Sequence, residues 1–151
     1  TATTEIYTLS LHDALPIFIL WLLSEYSYAG MCYMSITGVN FGYYDVFSPT
    51  PSDSSGSIDI QCEIETSITI HVDSGYGSYV RREMRSGSNK LFYNLYKNPN
   101  MTMVLGDGTM GTSILTGIVR NDVFYIYGRM PPQQNVRVGT YTDSIFITLY
   151  F

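Results

Sequence analysis

Two cysteines, Cys32 and Cys62, are the side chains of this chain best suited to covalent or metal chemistry, and their spacing narrows the choice. The separation matches neither a zinc knuckle nor a C-x-x-C redox motif. We favour a structural disulfide, which would restrict the unfolded chain by roughly 3 to 4 kcal/mol. Two buried free thiols are the alternative, and an oxidising compartment would decide for the disulfide.

A catalytic histidine is the next chemistry to consider. His71 lies between Ile70 and Val72 in an alternating apolar segment, so we expect a solvated residue on the surface row of a strand. A Ser/His/Asp triad that includes His71 is the alternative, because triads assemble across a fold rather than along a sequence. No nucleophile elbow accompanies it, and we predict no catalytic residues.

Three further motifs have structural explanations that we prefer. Asp107 in G-D-G is a single carboxylate where a calcium loop places several oxygens, so a tight turn is expected and no metal site. Arg81, Arg82 and Arg85, with an acid beside them, could bind an anion, but we expect them to cover apolar surface or to pair locally. The Asn-Met-Thr triplet at 100–102 matches the short glycosylation acceptor pattern.

Strands must position all of these residues. Past residue 30 the apolar residues alternate with polar ones in short segments, and no helical stripe competes with them. We predict about seven strands and a β-sandwich, with strands at 39–44, 58–64, 68–72, 91–95, 114–119, 123–127 and 145–151. Breaks are expected at 49–56, 74–78, 106–108 and 130–135, where Gly, Pro, Ser and Asn cluster.

Composition supports an all-β class and argues against some partners. The chain of 151 residues has 14 tyrosines and many β-branched residues, which suit a pleated half-buried surface. Its formal net charge of −5, with only two lysines, leaves no basic stripe for a phosphate backbone, so nucleic acid is a poor partner. We expect no cofactor and no small-molecule substrate.

The first 29 residues differ in character from the rest. The apolar run at 17–23 is too short to span a bilayer, which needs ~20 residues, but it suits a secretory signal, with cleavage expected before Gly30. Residues 1–16 carry no Lys or Arg and resemble a translated sequencing adapter, so we set them apart as an artefact or a leader. An amphipathic leader helix is the alternative. The predicted domain is 30–151.

An ordered series of motifs from Cys32 onward resembles one known family. The segments are Cys32, G-V-N-F-G-Y-Y-D (38–45), S-G-S-I-D-I-Q-C (55–62), Arg82-x-Met84, L-F-Y-N-L-Y (91–96), G-D-G (106–108), Y-G-R-M-P (127–131) and G-T-Y-T-D-S-I-F-I-T-L-Y-F (139–151). Each is weak singly, but their order is similar to the spore coat protein U-like domain of archaic chaperone-usher pilus subunits.

The resemblance implies an immunoglobulin-like β-sandwich that lacks its last strand. It implies a non-enzymatic, adhesive pilus subunit that supports surface attachment and biofilm formation. Its partners would be a periplasmic chaperone, an outer-membrane usher and other pilin subunits, and it would pass through the periplasm to the cell surface. Cleavage before Gly30 would leave no segment to donate, which suits the fibre tip or a terminator of the fibre.

The resemblance also implies where a partner strand pairs. The segment 141–151 would border the vacant groove, with Tyr141, Ile145, Ile147, Leu149 and Phe151 as the acceptor edge. Alternation lets one row of these side chains enter the core while the backbone edge stays available. Two other functions are kept open: a secreted coat or matrix protein that self-associates without a pilus, and a secreted β-sandwich hydrolase or sugar-binding module.

Overall fold

The computed structural model describes residues 30–151, and this part of the chain contains six β-strands. The segments 1–16 and 17–29, predicted as leader and signal region, lie outside it. Within the described residues no helix is long and apolar enough to cross a membrane. The strands are β1 (Cys32–Thr37), β2 (Ser52–Val72), β3 (Arg82–Ser86), β4 (Asn89–Tyr96), β5 (Leu115–Met130) and β6 (Ile147–Tyr150). The predicted all-β class is confirmed.

The strand order is β1-β2-β5-β4-β3, and β6 pairs with the end of β2. All of these strand pairs are antiparallel. Residues 57–62 of β2 pair with β1 and its last four residues pair with β6, so β1 and β6 lie along the same edge of β2, opposite β5. β1 and β6 pair with different parts of β2, and the candidate site lies beside these two strands.

An irregularity in β2 bends the sheet around its core. The register with β5 shifts between Gln61 and Thr66. A bulge bends a strand and increases its twist. Apolar residues from both halves of β2 therefore enter one core, with Ile58 and Ile70 both fully buried in it.

Several predicted strands and loops have different limits in the structure. The strands predicted at 58–64 and 68–72 are one strand, and so are those predicted at 114–119 and 123–127, because the paired partners bulge rather than turn. The predicted break at 49–56 is wrong from Ser52 onward, since this serine-rich stretch pairs with the end of β5. β1 and β3 were not predicted.

The strand predicted at 39–44 is also wrong, because this segment is irregular. Gly42 has a φ of 67°, in the left-handed region, and its N–H donates to the Asn40 side chain at 2.9 Å, so the chain turns instead of pairing. Val39 and Phe41 still pack against the core, and the Phe41 ring meets Tyr93 edge-on at 5.8 Å. The apolar alternation there reflects burial without a sheet partner.

Candidate strand-acceptor groove

An apolar groove separates two parts of the chain. On one side are the end of β1 and the segment that follows it, and on the other is the segment that leads into β6. The volume of the groove is about 260 Å³. One wall includes Ile36, Val39 and Phe41, and the opposite wall includes Ile145 and Ile147. The floor consists of side chains from the other strands, namely Val72, Met84, Tyr93, Leu95 and Ile126.

Two strand edges border this part of the molecule. In residues 30–151, β1 pairs with β2 alone, and so does β6. Each of the two strands therefore has one edge whose N–H and C=O groups have no partner strand within the described chain. An unpaired edge beside apolar surface is a template for another strand.

The five predicted acceptor residues divide into three groups. Ile145 and Ile147 line the groove, whereas Tyr141 and Leu149 are partly buried against the core without lining it. Phe151 follows the strand and is 63% exposed. The regular strand is also shorter than the predicted 141–151, since only Ile147–Tyr150 pair with β2.

Alternation along this terminal segment follows the prediction. Phe146 and Tyr150, which lie between the inward residues, are 75% and 52% exposed. The inward row contacts the core and the outward row contacts solvent, so the side chains leave the backbone edge of β6 uncovered.

One end of the groove is polar, which the sequence analysis did not identify. Asp143 lines the groove and accepts hydrogen bonds from the Tyr93 hydroxyl at 2.7 Å, from the Tyr76 N–H at 3.0 Å and from the Ser144 N–H at 2.7 Å. Burial and the neighbouring carboxylate raise the pKa of Tyr93, so its hydroxyl stays a donor. This network joins β4 to the segment before β6 and holds the groove wall in place.

Arg82 lies in the core beside this network, with no exposed surface. Its guanidinium donates to the Asn94 side chain at 2.7 Å and to the carbonyls of Asp73 and Leu105 at 2.7 and 2.9 Å. Burial lowers the pKa of Arg82. The residue connects three segments of the chain, so its role is structural. We expected it to cover apolar surface or to pair locally, but it is buried in the core instead.

The two other arginines of the cluster lie against aromatic rings. The Arg81 guanidinium is 4.1 Å from the centre of the Phe92 ring, and Arg85 is 4.7 Å from that of Tyr76. Arg85 also donates to Glu83 through its Nε at 2.9 Å. These two arginine side chains are therefore engaged in local contacts, as expected, rather than arranged as an anion site.

The cysteines, His71 and Asp107 have local structural partners. The Cys32 and Cys62 sulfurs are bonded at 2.07 Å, across a register pair that joins β1 to β2. His71 is half-buried and meets the Tyr150 ring edge-on at 4.9 Å. The Asp107 carboxylate accepts from the backbone and hydroxyl of Thr109 at 2.9 and 2.6 Å, as an Asx turn does. Among residues 30–151 no group of three His, Cys, Asp or Glu could hold a metal ion.

Comparisons with known proteins agree with this architecture. The family model of the Spore Coat Protein U domain matches residues 22–148. "Protein U" of Myxococcus xanthus is 31% identical over 128 residues, which cover 75% of this chain and 71% of that protein. Both matches extend over most of the chain.

Two solved structures match this chain. A chain of the CsuC-CsuE chaperone-tip adhesion subunit pre-assembly complex, from the archaic chaperone-usher Csu pili of Acinetobacter baumannii, has a TM-score of 0.56 at 21% identity. The match covers 81% of this chain and 40% of that one, so it shows the incomplete immunoglobulin-like fold alone. The E. coli Hda pilus minor tip subunit HdaB has a TM-score of 0.44 at 12% identity, over 79% of this chain and 82% of that one.

Proposed function

Because the chain belongs to the Spore Coat Protein U domain family, we propose that it is a non-enzymatic structural subunit of a pilus, completed by a strand from a partner protein. The observation that carries the proposal is the apolar groove bordered by the unpaired edges of β1 and β6. A strand laid in that groove would satisfy the hydrogen bonds of an edge and cover the apolar floor at once.

The partner strand should carry apolar side chains at alternate positions. The groove walls and floor are almost entirely aliphatic or aromatic, and only side chains on one face of a strand can reach them. Its other face would be polar, because it would lie in solvent. A periplasmic chaperone would supply this strand first, and a neighbouring pilin would replace it when an outer-membrane usher assembles the fibre.

The likeness to a chain of a chaperone-tip subunit complex supports a chaperone and a pilin as partners. Such a fibre at the cell surface would support attachment and biofilm formation. A self-associating coat without a pilus is the second candidate, favoured by the family's description as a spore coat domain. In a coat, a second copy of this chain would fill the groove, so the identity of the occupant separates the two functions.

The test is co-expression of the full chain with its periplasmic pilus chaperone, followed by hydrogen exchange on the purified complex. We expect a complex of the two proteins and slow exchange at the backbone of β1 and β6, compared with the chain alone. A chain that is stable and monomeric alone, with both edges already protected, would contradict the proposal. A complex of two copies of the chain would favour the coat.

A matched pair of substitutions locates the site within the groove. Ile147→Asp places a charge in the groove wall, so we expect less chaperone complex to be recovered. Phe146→Asp changes the adjacent, outward residue and should leave recovery unchanged. Equal losses for both variants would indicate a general folding defect rather than a groove.

A further inference from the structure

A second, smaller cleft lies on the outer face of the sheet, between β1 and β2. Its volume is about 130 Å³, and it is lined by Tyr33, Met34, Ser35, Asp59 and Gln61. Strand alternation sends Tyr33 and Ser35 outward, because Met34 between them packs against the core. This cleft therefore opens on the face opposite to the groove.

The polar groups of the cleft are available for a ligand. One oxygen of the Asp59 carboxylate accepts from the Ser57 hydroxyl at 3.1 Å, and its other oxygen has no hydrogen-bond partner in the described part of the chain. The Gln61 amide and the Ser35 hydroxyl likewise have none there. Together they offer a carboxylate acceptor, an amide that both donates and accepts, and a hydroxyl.

An aromatic surface accompanies these groups. Tyr33 is 59% exposed, so a face of its ring is accessible beside the polar row. The register places Tyr125, 58% exposed, opposite Ser57 on the next strand. From the strand spacing and the rise per residue, the two tyrosine backbones lie roughly 15 Å apart on one face.

The charge of the cleft restricts what can bind. Asp59 faces Ser35 on one side and Val123 on the other, and Gln61 faces Tyr33 and Asn121. No lysine or arginine is among these paired residues, so a phosphate or a carboxylate would meet the Asp59 charge with no cation to offset it. A neutral ligand rich in hydroxyl donors is complementary to this site.

We propose that the cleft binds a neutral carbohydrate, with Tyr33 stacked on the apolar face of one ring and Asp59 and Gln61 bonded to its hydroxyls. Small-ligand sites combine an aromatic surface with a few placed polar groups, and this cleft has both. Tyr125 would contact a more distant ring of the same chain. The site is on the opposite face from the groove, so it operates whether or not a partner strand is bound.

The test is isothermal titration of the full chain, in its chaperone complex, with cellohexaose and mannohexaose as neutral probes and hexagalacturonate as the acidic one. We expect a neutral probe to bind at micromolar to millimolar concentration. Tyr33→Ala and Asp59→Ala should each weaken the binding by at least about fivefold, and Tyr33→Trp should retain it. The same complex should form with each variant.

Tyr43→Ala is the matched control, because Tyr43 is fully exposed in the loop between β1 and β2 and away from the cleft. We expect its binding to equal that of the unchanged protein. No binding of either neutral probe at millimolar concentration would overturn the proposal. Binding of the acidic probe alone, or an equal loss in Tyr43→Ala, would also overturn it.

Discussion

At Arg82, an amide side chain and two backbone carbonyls hold a buried guanidinium to which no carboxylate of residues 30–151 is bonded. Replacing it with methionine would leave the buried carbonyls of Asp73 and Leu105 without this donor, at a cost of about 1 to 3 kcal/mol for each, whereas Asn94 Oδ1 still accepts from the Leu95 N–H at 2.9 Å. Removing a desolvated charge offsets part of that loss. We expect Arg82→Met to lower the free energy of unfolding by about 2 to 4 kcal/mol, measured by denaturant titration.

Arg81→Met is the control, since its guanidinium rests on the Phe92 ring and no acceptor depends on it. A loss below about 1 kcal/mol is expected there. If the two variants were equally stable, the hydrogen bonds of Arg82 would contribute nothing beyond packing.

The disulfide gives a second prediction at the residue scale. Cys32–Cys62 closes a loop of 30 residues, and in the chain-entropy model such a link restricts the unfolded chain by roughly 3 to 4 kcal/mol. We therefore expect Cys32→Ser with Cys62→Ser to lower stability by that amount. An unchanged melting temperature for the double variant and for the reduced protein would contradict this.

Glu83 gives a pH-dependent prediction. Its side chain, 8% exposed, pairs with Arg85 and with Lys90, whose Nζ is 3.0 Å away, and these cations hold the pKa of Glu83 below its ordinary value. A carboxyl with a lowered folded pKa adds stability above its unfolded pKa, about 4.3, and loses it as the pH falls through the folded value. Glu83→Gln should therefore lower the melting temperature at neutral pH, and the difference should shrink below about pH 4. Glu65→Gln is the control for loss of an exposed carboxylate in β2, and at neutral pH its melting temperature should match that of the unchanged protein.

At the scale of the element, two strand glycines should respond in opposite ways. A Cβ on Gly56 in β2 would lie 2.4 Å from the Thr37 carbonyl oxygen, in the backbone that leads to the groove wall. A Cβ on Gly117 in β5 would meet only side chains, at 3.4 Å or more. We expect Gly56→Ala to destabilise by about 2 kcal/mol and Gly117→Ala to be neutral or stabilising, by thermal unfolding. Equal effects would show that the Gly56 contact is easily relieved.

The sequence predicted strands where apolar and polar residues alternate. The buried rows of β2, such as Ile58, Ile60, Ile68 and Ile70, alternate strictly, so strands were predicted there. Alternation does not report pairing, however, and Val39 and Phe41 alternate in a segment that pairs with no strand in the described part of the chain. The start of β2 contains Asp53 and Gly56, residue types that are depleted in strands, and its pairing with β5 holds it in the sheet.

The candidate site was predictable only in part for a related reason. Ile145 and Ile147 belong to a visible apolar row, but the polar end of the groove forms from residues far apart in sequence. Asp143 and Tyr93 meet only because β4 and the terminal segment pack together. Arg82 looked like a surface cation because its neighbours are charged, while its tertiary environment buries it.

At the scale of the whole molecule, an incomplete sandwich should be improved by any strand that fits. The groove has an apolar floor and walls, and an attached strand would avoid most of the entropic penalty of association. We expect a fusion of a flexible linker and a strand with alternating apolar residues, placed after Phe151, to yield a monomer. Its melting temperature should be higher than that of the unfused chain, and it should no longer bind the chaperone.

The control for the fusion is the same linker and strand with its apolar residues replaced by serine, which keeps the backbone donors and removes the side chains that fill the groove. This fusion should behave as the unfused chain does, because edge pairing alone gives little without apolar burial. If both fusions stabilised the domain equally, the unpaired edge and not the groove would be the recognition element. If neither did, the groove between β1 and β6 would not be where a partner strand binds, and the pilus function would lose the observation on which it rests.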